Sequence, residues 1–325
     1  MKRILLTFLV VLMAMPFAHA QNYRLEAGVL LGASNILGDI GGKSLPRRDF
    51  VADLKVQATA LSGGIYGRYA LSPRLHAGLS IMYASLNGRD SLSTNPGRRQ
   101  RNLSFRNRLL DVATFVDYEV YEQYNVGRSR RYRVDFATYV TLGVGFFSHN
   151  PQAQIGKGGF TSSDGSIEYS QGEWVDLQPL ATEGISYSTT GVSILLGAGF
   201  DFTIDRNFRV GFRTMLRSTN TDYLDDISTD YKDPSTFSNT AEGELARELA
   251  YRGDEIGKAQ IWHEGQEFQE GSNVRGNMDR DDDYFFMNLT FAYVIKGKGG
   301  KYNRKFHSGY QRSRGTRKSI RRFNF

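Results

Sequence analysis

The chain has 325 residues and no cysteine, which excludes disulfides, thiol catalysis, cysteine-ligated zinc and a lipidated N-terminal cysteine. The formal net charge of +7 hides an asymmetry: residues 296–325 hold 11 of the 41 Lys and Arg and no acid, the first twenty residues hold 2, and the stretch between keeps 28 basic against 34 acidic residues. Aromatic residues make up 13%, Gly numbers 35 and Pro only 7, with a mean hydropathy of -0.42; a chain rich in aromatics and glycine yet polar on average suits a membrane β-barrel, whose strands show one face to lipid and the other to a polar lumen.

In chain order, Lys2 and Arg3 precede an uncharged apolar run over 4–17, and Ala18-His19-Ala20 follows. This reads as a secretory signal peptide over 1–20, since the run is too short to span about 30 Å of hydrocarbon as a helix. Strands are then expected where apolar residues alternate with period two. The first, 25–33, sets Leu25, Val29 and Leu31 against Glu26, Gly28 and Gly32. The second, 63–71, sets Ile65 and Tyr69 against Tyr66 and Arg68, and Ser72-Pro73 turns into the third, 74–86, with Leu75, Leu79, Ile81 and Tyr83 opposite Arg74, His76, Ser80 and Met82. The fourth, 105–120, sets Leu110, Val112, Val116 and Tyr118 against Asp111, Asp117 and Glu119, and the fifth, 136–146, sets Val140, Leu142, Val144 and Phe146 against Tyr139. The sixth and seventh, 191–204 and 208–216, flank Asp205-Arg206-Asn207 and carry Asp201, Arg209 and Arg213 on the polar face; the eighth, 284–295, carries Phe285, Met287, Leu289, Phe291, Tyr293 and Ile295 on one face.

These eight strands, with alternating short and long connections, predict an all-β fold: an eight-stranded antiparallel transmembrane barrel over 21–295 with short periplasmic turns, long extracellular loops and a basic periplasmic C-terminal tail over 296–325. A soluble β-sandwich or lipocalin-type barrel also alternates, but its inner face packs apolar side chains. Here the inner face is charged, and Glu26, Asp111, Asp117 and Asp201 are expected to neutralise Arg68, Arg74, Arg209 and Arg213 in a lumen just wide enough to fill with side chains. The longest connection, 217–283, contains a predicted short helix over 240–251.

Four segments resemble a known family. They are 31–40 (LGASNILGDI), 101–107 (RNLSFRN), 221–231 (TDYLDDISTDY) and 281–293. Together they resemble the PorG family of outer-membrane barrels in the type IX secretion system. The resemblance implies no enzyme activity and no cofactor. It implies association with a periplasmic ring built from a PorK-like lipoprotein and a PorN-like partner.

Asp222, Asp225, Asp226 and Asp230, with Asp279, Asp281, Asp282 and Asp283, are hard oxygen donors, but Asx turns in a solvated loop account for such a string without a cation. Ser148-His149 is the one nucleophile–base pair of an enzymatic reading, and adjacent strand residues point to opposite faces. The tail interleaves Lys298, Lys301, Arg304, Lys305, Arg312, Arg314, Arg317 and Lys318 with Tyr302, Phe306 and Tyr310. In the periplasm this pattern fits anionic lipid or an acidic protein partner better than nucleic acid. The expected function is a non-enzymatic anchor of the secretion machinery; a small transport or adhesion porin and a lipid-modifying enzyme are the alternatives.

Overall fold

The structure is a computed structural model and describes residues 24–40, 56–93, 96–126, 133–257, 274–278 and 280–296. The barrel strands in the first half are β1 (Arg24–Leu37), β2 (Ala60–Ala70), β3 (Leu75–Arg89), β4 (Ser104–Gln123) and β5 (Val134–Gln154). Three short strands follow, β6 (Phe160–Thr161), β7 (Glu168–Tyr169) and β8 (Trp174–Asp176), before β9 (Thr190–Ile204), β10 (Phe208–Thr219) and β11 (Asp283–Lys296) complete the wall. Helix α1 (Pro96–Arg101) joins β3 to β4, and α2 (Ala241–Ala250) lies between β10 and β11.

Neighbouring strands run β4-β3-β2-β1-β11-β10-β9-β5, and the additional β4–β5 pairing closes the sheet. The result is the expected closed, eight-stranded antiparallel barrel, in which closure removes the unpaired edges of an open sheet. By compactness the chain divides into Glu26–Val294, which holds the barrel, and Met1–Leu25 with Ile295–Phe325, of which only the strand ends are described. The expected signal peptide over 1–20 and the tail residues from Lys298 to Lys318 lie outside the described residues.

Alternation sorts the wall into two faces. Leu31, Ile65, Leu79, Leu110, Leu142, Phe146, Ile194, Leu196, Leu289 and Phe291 point outward and are exposed, while Glu26, Tyr66, Arg68, Met82, Asp117, Tyr139, Leu195, Met215 and Phe286 point inward and are buried. An exposed apolar belt this continuous is a lipid-facing surface rather than a soluble one. Phe285, expected on the outward face, is covered at the loop end of β11.

Strands β4 and β5 are longer than the alternation indicated, with 20 and 21 residues. At about 3.3 Å per residue each runs well beyond a hydrocarbon core of ~30 Å. At the loop end the extra length of β5, 147–154, is mostly polar with Phe147 and Ala153 buried in it, so it carries no continuous apolar alternation to mark it. It is stabilised instead by the β4–β5 ladder, which continues to Arg106↔Gln152, and by β8, which adds Gln152↔Asp176. At the opposite end the β9–β10 turn places Asp205 and Arg206 at φ 48° and 65°, and the Asn207 amide donates to the Ile204 carbonyl. Two left-handed central residues make a type I′ turn, whose twist matches the flanking strands.

The β5–β9 connection and the described part of the β10–β11 connection fold. The end of β5, the β5–β9 connection and α2 share a small core of Ala153, Ile155, Val175, Leu177, Leu245 and Leu249, and Phe237, Ala246 and Ala250 form a second. Helix α2 starts at Thr240, whose hydroxyl accepts from the Gly243 amide, and its Glu242 and Glu244 sit in the first turn where the helix dipole favours acids.

Candidate functional site

Two clusters of buried polar residues occupy the barrel and its loop end. The first fills the lumen. Arg68 is its hub: one guanidinium nitrogen lies 2.8 Å from Asp117, and the other lies 3.0 Å from Glu26 and 2.9 Å from Asp201. Arg213 reaches the same Asp117 oxygen at 2.6 Å, and Arg209 lies 3.0 Å from Glu26 and 3.5 Å from Asp201. Three arginines thus face three carboxylates. The Thr141 and Tyr66 hydroxyls donate to Asp117 and Glu26, at 2.7 and 2.6 Å.

A second pair sits nearer the loop end. Arg217 grips Asp111 in two-point geometry, at 3.1 and 2.8 Å, and the Tyr284 hydroxyl donates to Asp111 at 2.6 Å. Planar guanidinium–carboxylate forks are the strongest ion pairs available inside a protein. The Arg213 guanidinium also lies 4.8 Å from the ring centres of both Phe115 and Tyr139. Glycines on the inner face make room for this packing: a Cβ at Gly199 would come within 2.6 Å of the Tyr139 hydroxyl, and one at Gly78 within 2.3 Å of the Phe115 ring.

Burial decides what the lumen can do. Arg68, Arg213 and Arg217 are 1%, 2% and 0% exposed, and Asp111 and Asp117 are 0%. Charges lining an aqueous channel would be wet; these are packed against each other and against aromatic rings. Of the luminal residues expected from the sequence, Glu26, Arg68, Asp117, Asp201, Arg209 and Arg213 share one network, and Asp111 belongs to the Arg217 pair instead. Arg74 joins neither. It is exposed in the turn between β2 and β3, and its backbone carbonyl accepts from the Glu119 amide. The proline-containing turn ends one residue later than the alternation suggested, which leaves Arg74 outside the strand. Arg217 was missed because the predicted seventh strand stopped at Leu216; extending its parity by one residue would have placed Arg217 inward with Arg213.

The second cluster joins the wall to the folded loops. Asp225 accepts from the backbone amides of Asp39 and Ile40, both at 2.9 Å. Arg101 pairs with Asp90 at 2.7 Å, donates to the Asp39 carbonyl at 3.0 Å and reaches the Arg275 carbonyl. Asn107 donates to the Leu224 carbonyl at 2.6 Å, and the Leu224 amide donates to Asp282 at 3.1 Å. Asp226 accepts from the Thr182 and Tyr187 hydroxyls at 2.6 and 2.5 Å, while Arg275 lies 3.0 Å from Glu183. The four segments that carry the family resemblance therefore interlock at one place: 31–40, 101–107, 221–231 and the start of β11 bond to one another. Sequence separation hid this, since Asp39 and Asp225 are 186 positions apart.

The aspartates of 221–231 are thus largely buried caps rather than a solvated string. Asp222 has the Ser228 hydroxyl and the carboxylates of Asp225, Asp39 and Asp281 for neighbours. Among the described residues no group of three His, Asp or Glu is arranged to hold a metal ion. Ser148 is exposed while His149 is buried against Asn107 and the Ser188 carbonyl, so the two do not form a nucleophile–base unit.

Residues 2–170 match the family described as Domain of unknown function (DUF6089). No curated protein sequence matches the chain. Among solved structures, the chain is similar to Ail, the attachment invasion locus protein of Yersinia pestis, with 10% identity over 84% of this chain and 98% of that one and a TM-score of 0.32. It is similar also to Neisserial surface protein A, with 8% identity over 85% and 98% and a TM-score of 0.33. The N-terminal β-barrel domain of Pseudomonas aeruginosa OprF gives 10% identity over 85% and 98%, with a TM-score of 0.28.

Proposed function

We propose a function for a chain that belongs to the DUF6089 family: it is a non-enzymatic outer-membrane barrel that anchors the type IX secretion machinery by associating with its periplasmic ring. The observation that carries this reading is the convergence of the four resembling segments on one buried junction at the loop end, above a lumen closed by ion pairs. A barrel filled in this way does not pass folded cargo and is suited to be a fixture. In this orientation the short turns and both termini face the periplasm. The tail from Lys298 to Lys318, with Tyr302, Phe306 and Tyr310, then lies on the ring side as a docking segment for an acidic surface.

Affinity purification of the full chain from native membranes tests the reading. The PorK-like and PorN-like ring components should co-elute. Truncation after Ile295 should leave a barrel that assembles yet recovers less ring and supports less secretion. A full chain that elutes without ring components, from membranes in which the ring is intact, would overturn the anchor. The folded loops favour adhesion as a second reading, because small cores such as that of Ala153, Val175 and Leu245 make a rigid external surface. Binding of the purified barrel to host matrix, lost on deleting 155–189, would support it.

A further inference from the structure

The outward face of β3 and β4 changes chemistry abruptly at the loop end. Across this pair the register runs Tyr83↔Leu110, Ser85↔Arg108, Asn87↔Arg106 and Arg89↔Ser104. Tyr83 and Leu110 are 56% and 47% exposed and close the apolar belt. Two residues further, about 7 Å along the strand, the outward column becomes basic. Arg108 and Arg89 are exposed and make no ion pair among the described residues. Arg106 stacks 4.0 Å above the Trp174 ring and donates to Gln152 at 2.7 Å, while its Nε has no acceptor among the described residues. Two carboxylates border the column: Asp176, which accepts from Asn150 and Gln152 at 3.0 and 2.7 Å, and Glu255, which pairs at 2.7 Å with Arg252, whose guanidinium donates to the Ser104 hydroxyl at 3.2 Å. Among the described residues no other barrel strand presents Lys or Arg outward at this end.

A lipid-facing wall that ends in arginines on one side places cations at the depth of headgroups. A guanidinium matches phosphate in two-point geometry, and its stem lies along the apolar surface below. We propose that Arg89, Arg106 and Arg108, with Trp174 holding Arg106 in place, form a binding site for an anionic lipid of the outer leaflet that bears a phosphomonoester, as lipid A does and phosphatidylcholine does not. The site rests on the membrane orientation read above and is independent of the ring.

The full chain, reconstituted in phosphatidylcholine vesicles with and without a minor fraction of lipid A, tests it. The wild-type barrel should retain lipid A through detergent washing and bind a fluorescent lipid A in a salt-sensitive way. Arg89→Gln, Arg106→Gln and Arg108→Gln should each weaken binding by about fivefold. The triple variant should fall to the level seen for phosphatidylcholine, and Arg133→Gln at the opposite end should have no effect. Unchanged heat-modifiable migration on gels checks that each variant is folded, since none of the three arginines touches the lumen. Equal retention by wild type and triple variant overturns the site. Complete displacement of the lipid by inorganic phosphate alone overturns the lipid as its occupant. Neither failure bears on ring co-purification.

Discussion

At the scale of single residues, Asp117 shows how closely the lumen is balanced. One of its oxygens serves both Arg68 and Arg213, and the other takes the Thr141 hydroxyl. Removing it leaves two buried guanidinium groups short of an anion, and breaking a buried ion pair from one side costs about 3–5 kcal/mol. Asp117→Leu should therefore lower the denaturant midpoint of the detergent-solubilised barrel sharply, whereas Arg74→Gln, exposed in its turn, should leave it unchanged. The acids beneath the loops behave differently. Burial and the neighbouring carboxylates push Asp222 up to about 8; burial and Asp39 push Asp225 up to about 7; burial, opposed by Arg275, leaves Asp226 at about 6. Each folded value lies above the ordinary carboxylate value of about 3.9, so the unfolded segment releases its protons first. The stability these groups contribute is complete below about pH 4 and is lost as pH rises through 6 to 8. Hydrogen exchange over 220–230, corrected for its intrinsic pH dependence, should show the junction opening more readily at pH 8 than at pH 5.5. Asp222→Asn should recover part of that difference.

At the scale of elements, the apolar alternation made the strands legible and the close packing between them did not appear in it. The outward faces of β4, β5, β9 and β10 follow the period-two pattern residue by residue, because lipid on one side and a plug on the other impose it. Leu196, 55% exposed on β9, meets this directly: Leu196→Arg should cost about 2–4 kcal/mol near the bilayer midplane and reduce assembly in vesicles. The inward glycines carry no side chain to mark their role in the sequence, and the packed lumen explains them. Gly199→Ala would drive a methyl into Tyr139, with an expected loss of about 1–3 kcal/mol in the same denaturant assay. The polar extensions of β4 and β5, the short strands of the β5–β9 connection and the pairing of Asp225 with the 39–40 backbone left no local periodic signal. They depend on contacts between distant segments. Helix α2 was legible because its N-cap, early acids and leucine spacing are all local.

At the scale of the molecule, a closed wall, a lumen filled by balanced charge and loops folded over one end describe a rigid barrel rather than a conduit. In planar bilayers the purified full chain should insert without steady conductance; ohmic channels of uniform size would return the account to a porin. The most direct measurement of the proposed anchoring is site-specific photo-crosslinking in living cells from Tyr302 in the tail, with Leu289 on the lipid-facing wall as the reference position. The account predicts crosslinks from position 302 to the PorK-like or PorN-like ring components and none from 289. Crosslinks from neither position to the ring, with the probe shown to react and the ring present, would contradict it.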